Sequence, residues 1–204
     1  MSIELYLAYV LACIVVVIVP GPTVTLIVAN SMRYGTRAGM LNIVGTQLGL
    51  ATMIGLVVVG LASLIATMEW WFDWVRLAGA AYLIWLGIGL LRSRGTFDRA
   101  DKVPPTRNGF FLQGFLVVMS NPKALLLFGA FIPQFVDPTG DYIGQVILLG
   151  VTAMASALIF DSVYALLAGR AAAMLSRTRV QLVSRISGLC LIGGGVWLAL
   201  ARAR

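Results

Sequence analysis

Apolar runs separated by short charged stretches set the pattern of this chain. Leu5–Met32 and Ala38–Met68 contain no Asp, Glu, Lys or Arg. Each exceeds the roughly 20 residues that a helix rising about 1.5 Å per residue needs to cross about 30 Å of hydrocarbon. They predict the first two membrane-spanning helices. A shorter run, Trp74–Leu91, predicts a third. The polar stretch Arg92–Asn108, with Arg92, Arg94, Arg99, Lys102, Arg107 and Pro104-Pro105, predicts a loop. Gly109–Ile132, Tyr142–Ala168 and Val183–Ala201 predict three further spans, although the first holds Lys123 and the second Asp161. The expected fold is all-α: a polytopic membrane protein with six transmembrane helices in one transmembrane domain over residues 1–204. The first apolar run has no basic segment before it and no small-residue cleavage pattern near Pro20, so it is read as a span and not as a cleaved signal.

Composition strengthens this reading. Hydrophobic residues make up 60% and charged residues 11% of the chain, and the mean hydropathy is +0.94. A soluble globule is excluded, because such domains are about a quarter charged. The net charge of +7 does not point to nucleic acid, since the basic residues lie between apolar runs and form no basic domain. It sets topology instead. Arg33 and Arg37 follow span one, five basic residues fill the central loop, and Arg170, Arg177 and Arg179 precede span six; the alternate connections carry Glu69 with Asp73, and Asp137 with Asp141. By the positive-inside rule the basic loops are cytoplasmic and the N-terminus is outside, with Arg202 and Arg204 in mild disagreement. Trp70, Trp71 and Trp74 fall at the expected outer boundary as interfacial anchors.

The chain has an internal correspondence. Pro20-Gly21-Pro22 in span one matches Asn121-Pro122-Lys123 in span four at an offset of 100 residues. Arg76-Leu77-Ala78-Gly79 matches Arg185-Ile186-Ser187-Gly188 at an offset of 109. Two repeats of three spans, 1–92 and 109–204 joined by the cytoplasmic loop 93–108, must insert with opposite topology because three is odd. Paired Gly/Pro interruptions in inverted repeats point to a binding site near the bilayer midplane. A proline inside a helix removes a donor and clashes with the carbonyl four residues back. An isolated case is a kink; corresponding pairs predict that helices 1 and 4 are broken.

The breaks carry the candidate chemistry. Gly21 with Pro22, and Asn121 with Pro122, are N-cap and first-turn residues for two new half-helices. Thr23 and Thr25 offer hydroxyls. Lys123 stands at a helix N-terminus, the wrong end for a cation; it either snorkels to an interface or helps hold an anion such as a carboxylate. Asp161 lies about 8 Å toward the cytoplasm from the middle of span five. It is a proton carrier, an ion ligand, the partner of a cation, or a carboxylate reaching a wet cytoplasmic vestibule. The depth offset of about 11 Å from Lys123 leaves their pairing open. In span two, Asn42, Thr46 and Gln47 either hydrogen-bond between helices or contact substrate, and Gly45-x-x-x-Gly49 permits close helix approach. Cys13 and Cys190 read as small core residues.

Four segments in register, Pro20-Gly21-Pro22 through Ala29-Asn30 to Gly35 and Gly39, Gly79 to Gly87, Asn121-Pro122-Lys123-Ala124, and Phe131 to Val136, resemble the LysE/RhtB family of bacterial amino-acid exporters. The resemblance implies a multi-pass protein of the bacterial cytoplasmic (inner) membrane that exchanges amino acids or close derivatives for protons, with both breaks lining the central site. Expected substrate contacts are Gly21, Pro22, Thr23, Thr25, Asn42, Thr46, Asn121, Pro122 and Lys123; spans five and six match the family less distinctively, so Asp161 is the expected proton-coupling residue on the intramembrane-carboxylate argument alone. No cofactor or metal is expected, and the partners are the amino acid, protons and lipid; a homodimer is compatible with the sequence. An alternative, export of divalent cations as in wider relatives, calls for clustered carboxylate, thiol or imidazole ligands. The chain has no histidine and no paired intramembrane carboxylates, which leaves an integral-membrane enzyme without candidates.

Overall fold

The chain breaks where its prolines interrupt the apolar runs. In the computed structural model, which describes residues 1–59, 69–92, 106–137, 140–174 and 177–200, the first run forms α1 (Ile3–Ile18) and α2 (Pro22–Tyr34). They are bent by 50° across the break. Ser2 caps α1 by accepting a hydrogen bond from the Leu5 amide at 3.3 Å. Gly35, at φ 89°, turns the chain from α2 into α3 (Thr36–Val58) through backbone geometry that a side chain would oppose. α4 (Glu69–Arg92), α5 (Arg107–Met119), α6 (Pro122–Leu126), α7 (Tyr142–Met174) and α8 (Arg177–Leu200) follow.

The break between α5 and the segment beginning at Pro122 is 51°. The half-helix beyond it is less regular than the sequence suggests. After α6 the chain widens into a π turn, Leu127–Phe131, and then tightens into a 3₁₀ turn, Ile132–Phe135. Pro133 accounts for this: it has no N–H for the Gly129 carbonyl, and its ring crowds that carbonyl, so the α register cannot continue. The helices α4, α7 and α8 also begin before or run past the apolar segments expected to be spans three, five and six, because charged residues such as arginine are good helix formers and do not end a helix.

α3 and residues Tyr142–Ala171 of α7 are each long and apolar enough to cross a membrane, and each bent pair adds one further candidate span. Among the described residues all regular structure is helical. The central-loop residues Arg94, Arg99, Lys102 and Pro104-Pro105, the tail residues Arg202 and Arg204, and the side chains of Glu69, Trp70, Trp71, Asp73, Trp74, Arg76, Arg177 and Arg179 lie outside the described residues. The interfacial tryptophans and most of the charge asymmetry lie there with them.

Helix pairs α4·α8, α3·α7 and α3·α5 form the main contacts, and α2 packs on α3, α7 and α8. Small residues allow the approach. A Cβ on Gly45 would strike the Phe111 carbonyl, and one on Gly114 would strike the Asn42 carbonyl, so the α3–α5 crossing is backbone against backbone. Gly87 meets the Gly188 carbonyl in the same way between α4 and α8. A core of Tyr9, Cys13, Leu50, Met53, Phe128, Ile132 and Leu149 fills one end of the bundle. Cys190 is not in the core: it is exposed on α8, as Leu11 is on α1. In a lipid-facing helix, apolar character does not separate bundle interior from periphery.

Candidate functional site

Asn121 joins the two breaks. Its side-chain oxygen accepts from the Lys123 amide at 3.0 Å, capping α6, and its Nδ2 donates to Thr23 Oγ1 at 2.8 Å on the first turn of α2. The Gly21 backbone lies against Lys123 and Asn121. One buried amide side chain therefore holds the N-terminal ends of two half-helices together, although they are about a hundred residues apart in sequence.

The break in span one leaves the last carbonyls of α1 without intrahelical partners. Lys123 Nζ donates to the Val19 carbonyl at 2.6 Å, and Tyr164 donates its hydroxyl hydrogen to the Ile18 carbonyl at 2.8 Å. This alters the expectation for Lys123. Its backbone stands at the positive end of α6, but its flexible stem carries the ammonium to the negative, C-terminal end of α1. The cation is accommodated without a bound anion. An ammonium has three donors, so the bond to Val19 leaves it able to meet a ligand as well.

A chamber opens beside these breaks. It takes in about 530 Å³ of non-atom space, open solvent at its mouth included. Polar lining comes from Thr23, Thr46, Asn121, Lys123 and Asp161; Leu50, Val118, Leu127 and Phe128 are among its apolar walls. Thr46 and Asp161 are 1% and 4% exposed. Lys123 and Asp161 thus face the same chamber despite the depth offset expected from helix rise. α2 has no side-chain cap, which leaves its first-turn amides beside the chamber without a side-chain acceptor. The Lys123 amide is already capped by Asn121.

Of the expected contacts, Gly21, Thr23, Thr46, Asn121, Lys123 and Asp161 line the chamber, while Pro22, Thr25, Asn42 and Pro122 do not. The two prolines shape the breaks from behind. Asn42 is consumed elsewhere: its Oδ1 accepts from Asn30 Nδ2 at 2.8 Å and its Nδ2 donates to the Phe110 carbonyl at 2.6 Å. Asn30 Nδ2 also donates to Gln113 Oε1 at 3.0 Å, so α2, α3 and α5 are tied by a buried amide network. Gln47 similarly donates to the Met154 carbonyl at 3.2 Å, between α3 and α7. Sequence reasoning did not single out Tyr164 or Gln113. Tyr164 could have been found, since it lies three residues after Asp161 and shares its helix face.

Comparison with known proteins follows this geometry. Residues 14–202 match the family profile described as LysE type translocator. A homoserine/homoserine lactone efflux protein of Salmonella typhimurium is 32% identical over 204 residues, covering 99% of each chain. Its counterpart in Salmonella typhi is 33% identical over 204 residues, again covering 99% of each. An uncharacterised membrane protein of Vibrio cholerae is 32% identical over 205 residues, covering 100% of each. No solved structure matches the chain.

Proposed function

Because the chain belongs to the LysE type translocator family, we propose that it exports amino acids or amino-acid derivatives across the bacterial inner membrane by proton antiport. It is a membrane transporter and not an enzyme. The observation that carries the substrate reading is the chamber at the paired breaks, where Lys123 and Asp161 present opposite charges between apolar walls. A zwitterion is complementary to that arrangement. Its carboxylate meets the Lys123 ammonium and the uncapped first turn of α2, and its amine meets Asp161. A single chamber carboxylate beside a lysine suits a divalent cation poorly, since hard cations take several oxygen ligands and a nearby ammonium repels them. The names of the Salmonella relatives point to a substrate the size of homoserine or its lactone.

Six spans in two inverted repeats, with α4 and α8 as spans three and six, are supported by the packing. The pairs α4·α8 and α3·α7 join corresponding helices of the two halves, and the contact α3·α5 has its counterpart in α2·α7, a pattern that a pseudo-two-fold axis produces. The N-terminus is outside and loop 93–108 is cytoplasmic. Asp161 takes the proton that exchanges for substrate. One proton crossing 100 mV supplies about 2.3 kcal/mol, enough for a roughly fiftyfold gradient. The test is uptake of labelled L-homoserine into everted vesicles with an imposed pH gradient. Accumulation that collapses with a protonophore is expected; flux equal to that of vesicles lacking the protein would remove the reading.

A further inference from the structure

Three helical hydroxyls among the described residues bond back to a carbonyl of their own helix. Thr52 Oγ1 donates to the Leu48 carbonyl and Thr152 Oγ1 to the Leu148 carbonyl, both at 2.8 Å, and Ser156 Oγ donates to the Thr152 carbonyl at 2.9 Å. Thr46 departs from that habit. Its Oγ1 is buried and has no hydrogen-bond partner, although its residue is 1% exposed. The carbonyl it would use, that of Asn42 one turn back, is pressed against Gly114 at the α3–α5 crossing. Thr46 lines the chamber.

Buried hydroxyls without partners oppose folding, so each one calls for an explanation. Ser31 Oγ is the other such hydroxyl among the described residues. It is wedged against Gly39 and does not line the chamber, so no ligand can reach it there. In the chamber, Asn121 and Thr23 satisfy each other. Lys123 and Asp161 are assigned to the two charges of the amino acid. The Thr46 hydroxyl is left over, on a third helix, as both donor and acceptor.

We propose that Thr46 is a specificity-determining residue, whose hydroxyl hydrogen-bonds an oxygen on the side chain of the transported amino acid. Three helices then read three groups: α6 the carboxylate, α7 the amine and α3 the side-chain oxygen. The substrate class is amino acids with a short oxygen-bearing side chain, and apolar isosteres are disfavoured because they leave the hydroxyl unpaired. This rests on the chamber being the substrate site.

The test uses purified protein in proteoliposomes and compares counterflow of L-homoserine with that of L-norvaline, which carries a methyl in place of the hydroxyl. The wild type is expected to prefer homoserine by about tenfold, the discrimination of one hydrogen bond. Thr46→Val is expected to bring the ratio close to one by losing homoserine transport while norvaline transport holds, and Thr46→Ser is expected to keep the preference. Because the hydroxyl has no protein partner, Thr46→Val is expected to melt no lower than the wild type in detergent. A ratio unchanged in Thr46→Val, or a variant that fails to fold, overturns the assignment and leaves the chamber reading in place. A wild type that carries neither amino acid overturns both.

Discussion

Replacing Lys123 by methionine tests the chamber at its cation. Methionine keeps most of the apolar stem and removes the ammonium, and with it the 2.6 Å bond to the Val19 carbonyl. A hydrogen bond to a charged group contributes about 1.5–3 kcal/mol. Removing the charge also removes the cost of holding it away from water, which offsets much of that loss in the folded protein. Stability should therefore change by about 1 kcal/mol or less, read as the melting temperature in detergent. Transport has no such compensation, because the carboxylate of the substrate loses its counter-charge. A loss of about 1.4–2.8 kcal/mol of binding corresponds to a roughly 10- to 100-fold rise in KM. The assay is the initial rate of L-homoserine counterflow against concentration in proteoliposomes with equal incorporated protein. Lys123→Arg, which keeps the charge with a bulkier head, should fall between the two. A Lys123→Met protein whose KM lies within about twofold of the wild type would refute the reasoning.

Asp161→Asn should abolish uptake driven by a pH gradient in everted vesicles, while homoserine counterflow persists with a raised KM because the substrate amine loses its counter-charge; gradient-driven uptake that persists removes the coupling role. Asn121→Ala loses both the cap on α6 and the bond to Thr23, and should destabilise the protein by about 1–2 kcal/mol in a detergent melt. Gly114→Leu drives a side chain into the Asn42 carbonyl and should eliminate the monodisperse peak in size-exclusion chromatography. Gly55→Leu, at a site with nothing within 4 Å, should leave that peak unchanged.

The breaks were legible in the chain because their chemistry is local: a proline has no donor wherever it stands, and Asn121 before Pro122 is capping grammar at any depth. The small-residue crossing was legible for a similar reason, since Gly45 and Gly49 share a helix face. What the chain concealed depends on partners distant in sequence. The ammonium of Lys123 meets a carbonyl that exists as an orphan only because α1 stops at Ile18. Thr46 and Asn42 lie one turn apart on the same helix, yet one faces the chamber and the other a network with Asn30 and Gln113. No property of span two alone separates them. Cys190 failed for a more general reason: lipid and protein interior are both apolar, so hydropathy does not distinguish the outward face of a membrane helix from its inward one.

The central claim is that amino acid enters the chamber between the paired breaks. It is tested by thiol labelling in a background carrying Cys13→Ala and Cys190→Ser. Ala157→Cys places a thiol on the chamber wall, and Asn108→Cys places one on the exposed first turn of α5, away from the chamber. Labelling by a small methanethiosulfonate reagent is followed with and without saturating L-homoserine. The account expects homoserine to slow labelling at position 157 severalfold and to leave position 108 unaffected. Equal labelling of position 157 in the presence and absence of homoserine, with transport intact, would contradict it.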